Sequence, residues 1–315
     1  MHITDKLYNK KWGVFNHYLY RIFEKENISW NDMVDKIDVK KIAQQLHEIG
    51  AGYYFITLCQ GTKHLLTLND TYIKITGTKP GEACAKRDVV LELYDELSRY
   101  NIDLYLYFPS DGPHFDKKYG KKVGFYYDVD DVWNMETEEL RPCDENKVLA
   151  EKRLSDEFIE NWSSVLSEYA TRYGDKISGW WLDGFYDFFG FNNKNMQPFY
   201  EAIKKGNPNA IVAFNGGVKK ETVKWYENED FTAGEFNEFE FIPKSRFTTD
   251  GAQNHILAPL GSDWGAKDAR YNSEYMKKYI ESVNANGGVV TIDVGVSYDG
   301  AFSKEQMDAL RFKKD

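Results

Sequence analysis

The residues best suited to do chemistry are two carboxylates that each end an apolar run. Asp183 closes Ile177 to Leu182, ISGWWL, and is followed by Gly184; Glu235 closes FTAGE. Aspartate is poor in strands and costly to bury, so one reading of Asp183 is a cap or turn residue with Gly184 completing the turn. The sharper reading is a catalytic carboxylate at a strand end, where barrel enzymes place their chemistry. Two carboxylates facing one cleft are the minimal equipment for cleaving a glycosidic bond, one ionised and the other protonated to donate to the leaving oxygen. Asp183 is expected to be the ionised one and Glu235 its partner. Glu238 and Glu240 follow in the same segment and point the other way if it stays extended; a solvated acidic loop is the competing reading of this cluster.

Such residues need elements that bring strand ends together. Apolar runs at 11–20, 53–59, 102–110, 177–183, 209–217, 231–235, 255–261 and 288–295 read as eight strands. Between them, helix-spaced apolar residues with caps or closing glycines predict helices at 39–49, 88–100, 155–173, 196–205, 273–286 and 303–312. Strands apolar on both faces and alternating with helices predict an α/β fold with parallel strands, namely a (β/α)8 TIM barrel forming a single domain over 1–315. An open doubly wound sheet is the alternative, weakened because no GxGxxG or Walker loop follows a strand. The polar stretch 111–152 is expected to be a long insertion after the third strand, a rim or lid over the mouth.

In a barrel the polar residues at strand ends form one set: His17, Gln60, Ser110 with Asp111, Asp183, Asn215, Glu235, Asp263 with Trp264, and Asp293. From this set and its neighbours, His17, Gln60, His64, Trp181, Asn215, His255 and Trp264 are the expected substrate-binding residues, with the indole rings as apolar faces for a sugar. His17 and His255 also read as core tethers, and Asp293, inside an apolar strand, as a structural hydrogen-bonding group.

Composition narrows the partners. The net charge of −10, with scattered Lys and Arg, argues against nucleic acid, and no segment approaches the roughly 20 apolar residues that span a bilayer. The compartment stays open between cytoplasmic and periplasmic or secreted, and oligomeric state is not legible. Cys59, Cys84 and Cys143 lack metal-ligand spacing, and the histidines show no HxH or HxxxH, so neither metal nor cofactor is expected. A nucleophilic Cys59 at its strand end is a further option.

The order KWGVFNHYLY, GYYFITLCQG, RDVVLELYDELSRYNIDLYLYF, GWWLDG and NANGGVVTIDVGVSYDGAFSKEQMDALR resembles the barrel domain of the α-L-fucosidases of glycoside hydrolase family 29. The resemblance covers nearly the whole chain. It implies a retaining exo-glycosidase for a terminal α-L-fucoside or a sterically related sugar, with Asp183 on the family's nucleophile, His17 on its active-site histidine and a Glu as acid and base. The family's Lys-His-His-Asp-Gly-Phe is replaced here by Cys59-Gln60-Gly61-Thr62-Lys63-His64, and the family's C-terminal β-sandwich is expected to be absent. The alternative is a catalytically silent carbohydrate-binding barrel that has lost the paired histidines.

Overall fold

The computed structural model describes residues 2–23, 27–125, 133–134, 139–140, 154–186 and 189–312. Seven strands form one parallel sheet: β1 (Trp12–Asn16), β2 (Tyr53–Thr57), β3 (Asp103–Pro109), β4 (Gly179–Asp183), β5 (Ile211–Phe214), β6 (His255–Pro259) and β7 (Val289–Asp293). Their spatial order is β5-β4-β3-β2-β1-β7-β6, so the first strand sits near the middle and the sheet curls as in a TIM-like barrel. A short antiparallel pair, Trp133–Asn134 with Glu139–Leu140, stands apart within the 111–152 stretch. The rest of that stretch beyond Phe125, and with it Cys143, lies outside the described residues.

Strand parity sorts the core into two layers. Even-numbered residues such as Tyr54, Leu106, Trp180, Val212, Ile256 and Ile292 join the main core that the helices cover. Odd-numbered residues, Phe15, Phe55, Tyr105, Tyr107, Trp181, Ala213 and Leu257 among them, form a second, inner cluster. Side chains alternate along a strand, so one parity fills the interior, and its last members at the mouth are His17, Asp183, Asn215, Glu235 and Asp293. Gly179 makes room for this filling: a Cβ there would come within 2.7 Å of Ile211 and of the Tyr105 ring.

The expected helices form where capping and periodicity point. Val39–Ile49 starts at Asp38, whose carboxylate accepts from Lys41 N at 3.0 Å, and ends at Gly50. Asp156–Tyr173 starts at Ser155, which accepts from Phe158 N at 3.0 Å. Val89–Ser98, Asn193–Gly206, Ser273–Ala285 and Lys304–Leu310 complete the set. Short helices the periodicity did not reveal lie at Asp5–Lys10, Tyr20–Phe23, Trp30–Asp35, Asp70–Thr76 and Lys117–Val123.

The eightfold alternation fails in one sector. The expected sixth strand, 231–235, makes only isolated bridges, Phe231 to Gln253 and Glu235 to Leu257. It still carries backbone bonds on both sides: Asp230 N donates to Val212 O (2.8 Å), and Leu257 N donates to Gly234 O (2.7 Å). No helix covers it on either side, since 215–230 and 236–254 are turns and irregular chain. Two features explain this. Gly234 has φ +60° and lies so close to β6 that a Cβ would sit 1.8 Å from His255 O, so the segment bends where a strand would run straight. The buried Glu229 carboxylate accepts from the backbone N–H groups of Phe214 at the end of β5 and of Trp225 and Tyr226 in the following loop, so these donors are satisfied without a helix.

Gly234→Ala is therefore expected to destabilise the protein by roughly 2–4 kcal/mol, through left-handed strain and overlap with a carbonyl. Urea unfolding of the two proteins checks this; equal midpoints would remove the constraint.

Candidate active site

The inward-facing strand ends meet in a cleft of about 140 Å³ lined by Phe15, His17, Arg21, Gln60, Trp181, Asp183, Tyr186, Glu235, Leu257 and Trp264. A larger groove of about 720 Å³ lies elsewhere, bounded by 221–224 and 241–250, and none of these residues lines it. Size alone would favour the groove; convergent polar chemistry favours the cleft.

Asp183 and Glu235 stand together because of Asn215, the residue after β5. Asn215 Nδ2 donates to Asp183 Oδ1 at 2.8 Å and to Glu235 Oε2 at 2.5 Å. Gly217 N donates to Asn215 Oδ1 at 3.0 Å, which fixes the oxygen end of the amide away from the acids. Asp183 Oδ2 receives a further hydrogen bond from the Tyr107 hydroxyl at 2.6 Å. Tyr107 stacks on Trp181 (centroids 5.5 Å apart), whose Nε1 donates to Ala233 O at 3.0 Å. The ring stack thus joins β3, β4 and the Glu235 segment.

The two acids differ in environment. Burial raises the Asp183 carboxyl above its ordinary value, and the bonds from Tyr107 and Asn215 pull it back. Burial and the Asp183 charge push Glu235 up to about 7, against one opposing hydrogen bond from Asn215. Asp183 receives more donors and is the better anion; Glu235 is the better proton carrier near neutral pH. The Tyr107 hydroxyl is raised by burial and by Asp183, so it stays protonated and can donate. Tyr186 is raised chiefly by the Asp183 charge, with burial second.

The remaining expected residues divide. His17 lies on the cleft wall, its Nδ1 2.8 Å from Asp293 Oδ1 and its ring edge-on to Trp264. Gln60 also lines the cleft, but its Oε1 accepts from Arg21 Nη2 at 2.7 Å and its Nε2 stays 3.5 Å from Asp183 Oδ2. His64 does not line it: the ring stacks on Tyr20 at 4.0 Å and packs near Trp30, because its loop turns back across the short N-terminal helices. His255 is likewise a core residue, fully buried, with Nδ1 bonded to Thr232 O and Nε2 to Thr291 Oγ1. Glu238 faces away and pairs with Arg270 at 2.7 Å. Cys59 is buried and its thiol is pushed well above the usual range by burial, then by Cys84 and Asp111, the opposite of an activated nucleophile. Tyr107, Tyr186, Phe15 and Arg21 were not singled out from sequence; alternation back from His17 along its own strand would have flagged Phe15. Among the described residues no group of three or more His, Cys, Asp or Glu is placed to hold a metal ion, and no helix is long and apolar enough to cross a membrane.

No family model and no curated protein matches the chain. Solved structures do match over almost all of it. An endo-fucoidan hydrolase of glycoside hydrolase family 107 superposes with a TM-score of 0.67 at 16% identity, over 96% of this chain and 91% of that one. An α-L-fucosidase of family 29 from Bacteroides thetaiotaomicron gives 0.65 at 18% identity, over 98% and 72%. The α-L-fucosidase AlfC, in complex with Fuca(1,6)GlcNAc, gives 0.67 at 16% identity, over 98% and 95%. These likenesses show the fold. At such identities the resemblance to family 29 stands at the level of architecture, which family 107 shares.

Because the Glu235 pKa in the fold lies above its ordinary 4.5, this carboxyl favours the folded state fully below pH 4.5 and loses that contribution as pH rises through about 7. Glu235→Gln, which cannot ionise, is expected to be more stable than wild type above pH 7, by on the order of 2 kcal/mol, with little difference near pH 4. Thermal unfolding of both proteins across pH 4–9 tests this. A gain independent of pH would contradict it.

Proposed function

We propose that this chain is a retaining glycoside hydrolase acting on a fucose-bearing oligosaccharide or glycoconjugate. The observation that carries the reading is the shared Asn215 amide. With legs of 2.8 and 2.5 Å meeting at one nitrogen, Asp183 Oδ1 and Glu235 Oε2 lie no more than about 5.3 Å apart. Measured on the facing oxygens, this supports the closer spacing of retaining enzymes, about 5–5.5 Å between carboxyl groups, over the about 6.5–9.5 Å with which inverting enzymes admit a water. The fold shared with fucosidases and endo-fucoidan hydrolases supports the sugar class.

In this reading the Asp183 carboxylate attacks the anomeric carbon while protonated Glu235 gives its proton to the departing glycosidic oxygen, leaving a glycosyl ester on Asp183. Glu235, now ionised, takes a proton from water as that water attacks the same carbon, and the Asp183 carboxylate is released. Tyr107 and Asn215 hold Asp183 in its attacking position, Trp181 and Trp264 wall the ring, and His17 and Gln60 meet hydroxyls. The exo mode follows the resemblance to the α-L-fucosidases, and the endo mode of the family 107 hydrolase is its alternative. Residues 230–236 would take the eighth place of a closed (β/α)8 barrel forming a single domain.

A panel of aryl and natural glycosides, α-L-fucosides and α- and β-galactosides included, tests this with wild type, Asp183→Asn and Glu235→Gln. Asp183→Asn is expected to abolish turnover, and Glu235→Gln to lower it by roughly 10²–10⁴ on substrates with poor leaving groups. Wild-type kcat/KM should fall as pH rises through about 7, where Glu235 loses its proton, and Glu235→Gln should lack that limb. Equal turnover by wild type and Asp183→Asn would overturn the assignment. Sugar binding without turnover by the wild type would identify a carbohydrate-binding barrel instead.

A further inference from the structure

Asp293 ends β7 beside β1, where Phe15 and Asp293 are in register, and it is buried, with 1% of its surface exposed. Its Oδ1 lies 2.8 Å from His17 Nδ1, and its Oδ2 accepts from Gly265 N at 2.6 Å. A backbone N–H can only donate, so Oδ2 is committed as an acceptor. The ionised carboxylate has only acceptors to offer on its other side as well, and the proton in the His17 contact therefore belongs to Nδ1. His17 Nε2 has no hydrogen-bond partner among the described residues and is not counted with the buried unpaired atoms, while the ring lines the cleft between Phe15 and Trp264.

We infer that Asp293 is a positioning residue: it confines the His17 proton to Nδ1 and so presents Nε2 to the cleft as a hydrogen-bond acceptor for a donor on the ligand, a sugar hydroxyl. Geometry alone places a proton on Nδ1; that Nε2 carries none is the inference itself, and the identity of the donor rests on the glycosidase reading. The same carboxylate holds Gly265, next to Trp264, so one buried group sets both the hydroxyl acceptor and the ring wall beside it.

Aspartate is needed here because asparagine offers a single acceptor oxygen. In Asp293→Asn that oxygen is expected to stay on the Gly265 N–H, turning the amide NH2 toward His17 Nδ1. Nδ1 must then accept, the proton moves to Nε2, and the group facing the cleft changes from acceptor to donor without a change of shape. An aspartate that fixes the tautomer of a neighbouring histidine, so that its amide isostere reverses it, is an established physical device.

The test is 15N NMR of the full chain labelled at its six histidines, with His17→Gln used to assign the His17 signals. Wild type is expected to show a pyrrole-type Nδ1 and a pyridine-type Nε2, and Asp293→Asn to interchange them. A protonated Nε2 in wild type overturns the inference, and needs no variant to be seen. Calorimetry then compares L-fucose with its monodeoxy and monodeoxyfluoro analogues. Fluorine cannot donate, so at one ring position wild type should lose roughly 10- to 100-fold in affinity for deoxy and fluoro sugars alike. In Asp293→Asn the fluoro penalty at that position should shrink several-fold. A uniform loss across all sugars would mark Asp293 as merely structural and overturn the inference. If wild type binds none of these sugars and hydrolyses none of the glycosides in the panel, the glycosidase reading fails, and the NMR result still decides the role of Asp293.

Discussion

A single side-chain amide sets the relation between the two acids. Asn215 Nδ2 has two protons and gives one to Asp183 and the other to Glu235, so neither carboxyl can move away without leaving a buried donor unpaired. The arrangement holds two acids close in a small, largely buried space, and its consequence is unequal proton affinity. Asp183 has the Tyr107 hydroxyl as well, while Glu235 answers to the Asp183 charge and rises to about 7. Two carboxyls that would be alike in water are driven into different roles by the number of donors each receives.

The rest of the structure serves to hold that amide still. Asn215 follows β5, Asp183 ends β4, Tyr107 lies on β3, and Glu235 comes from the irregular segment beside β6. Trp181 ties three of these together by stacking on Tyr107 and donating to Ala233 O. In the helix-free stretch 215–230 a buried carboxylate, Glu229, satisfies the backbone donors of Trp225 and Tyr226, together with that of Phe214 at the end of β5. The site thus rests on a rigid sheet for its nucleophile candidate and on a less regular sector for its proton carrier. That division suits a group whose solvation must change between its two charge states.

A second, independent carboxylate organises the opposite wall. Asp293 connects β7 to His17 after β1 and to the loop that carries Trp264, so both walls of the cleft are fixed by buried acids with defined partners. The proposed sugar chemistry uses one wall for bond cleavage and the other for recognition.

Much of this was legible along the chain. Local sequence determined the helices with a cap and a 3.6-residue apolar stripe, as at Asp38 and Ser155, and the apolar runs that became β1–β7, because these signals act over a few residues. It also marked Asp183, His17, Gln60, Asn215, Glu235 and Trp264 as polar or aromatic residues at strand ends. Tertiary structure decided which of them share a cleft, because convergence depends on strand order and register. His64 and His255 carry the same chemistry as His17 yet are spent on ring stacking and core hydrogen bonds. It also decided that 231–235 would bend at Gly234 instead of forming a regular strand, since close approach to His255 O is a contact across the sheet that no local pattern records. The same holds for the proton of Glu235: an isolated glutamate titrates near 4.5, and only burial beside Asp183, across 51 residues of intervening chain, lifts it toward neutrality.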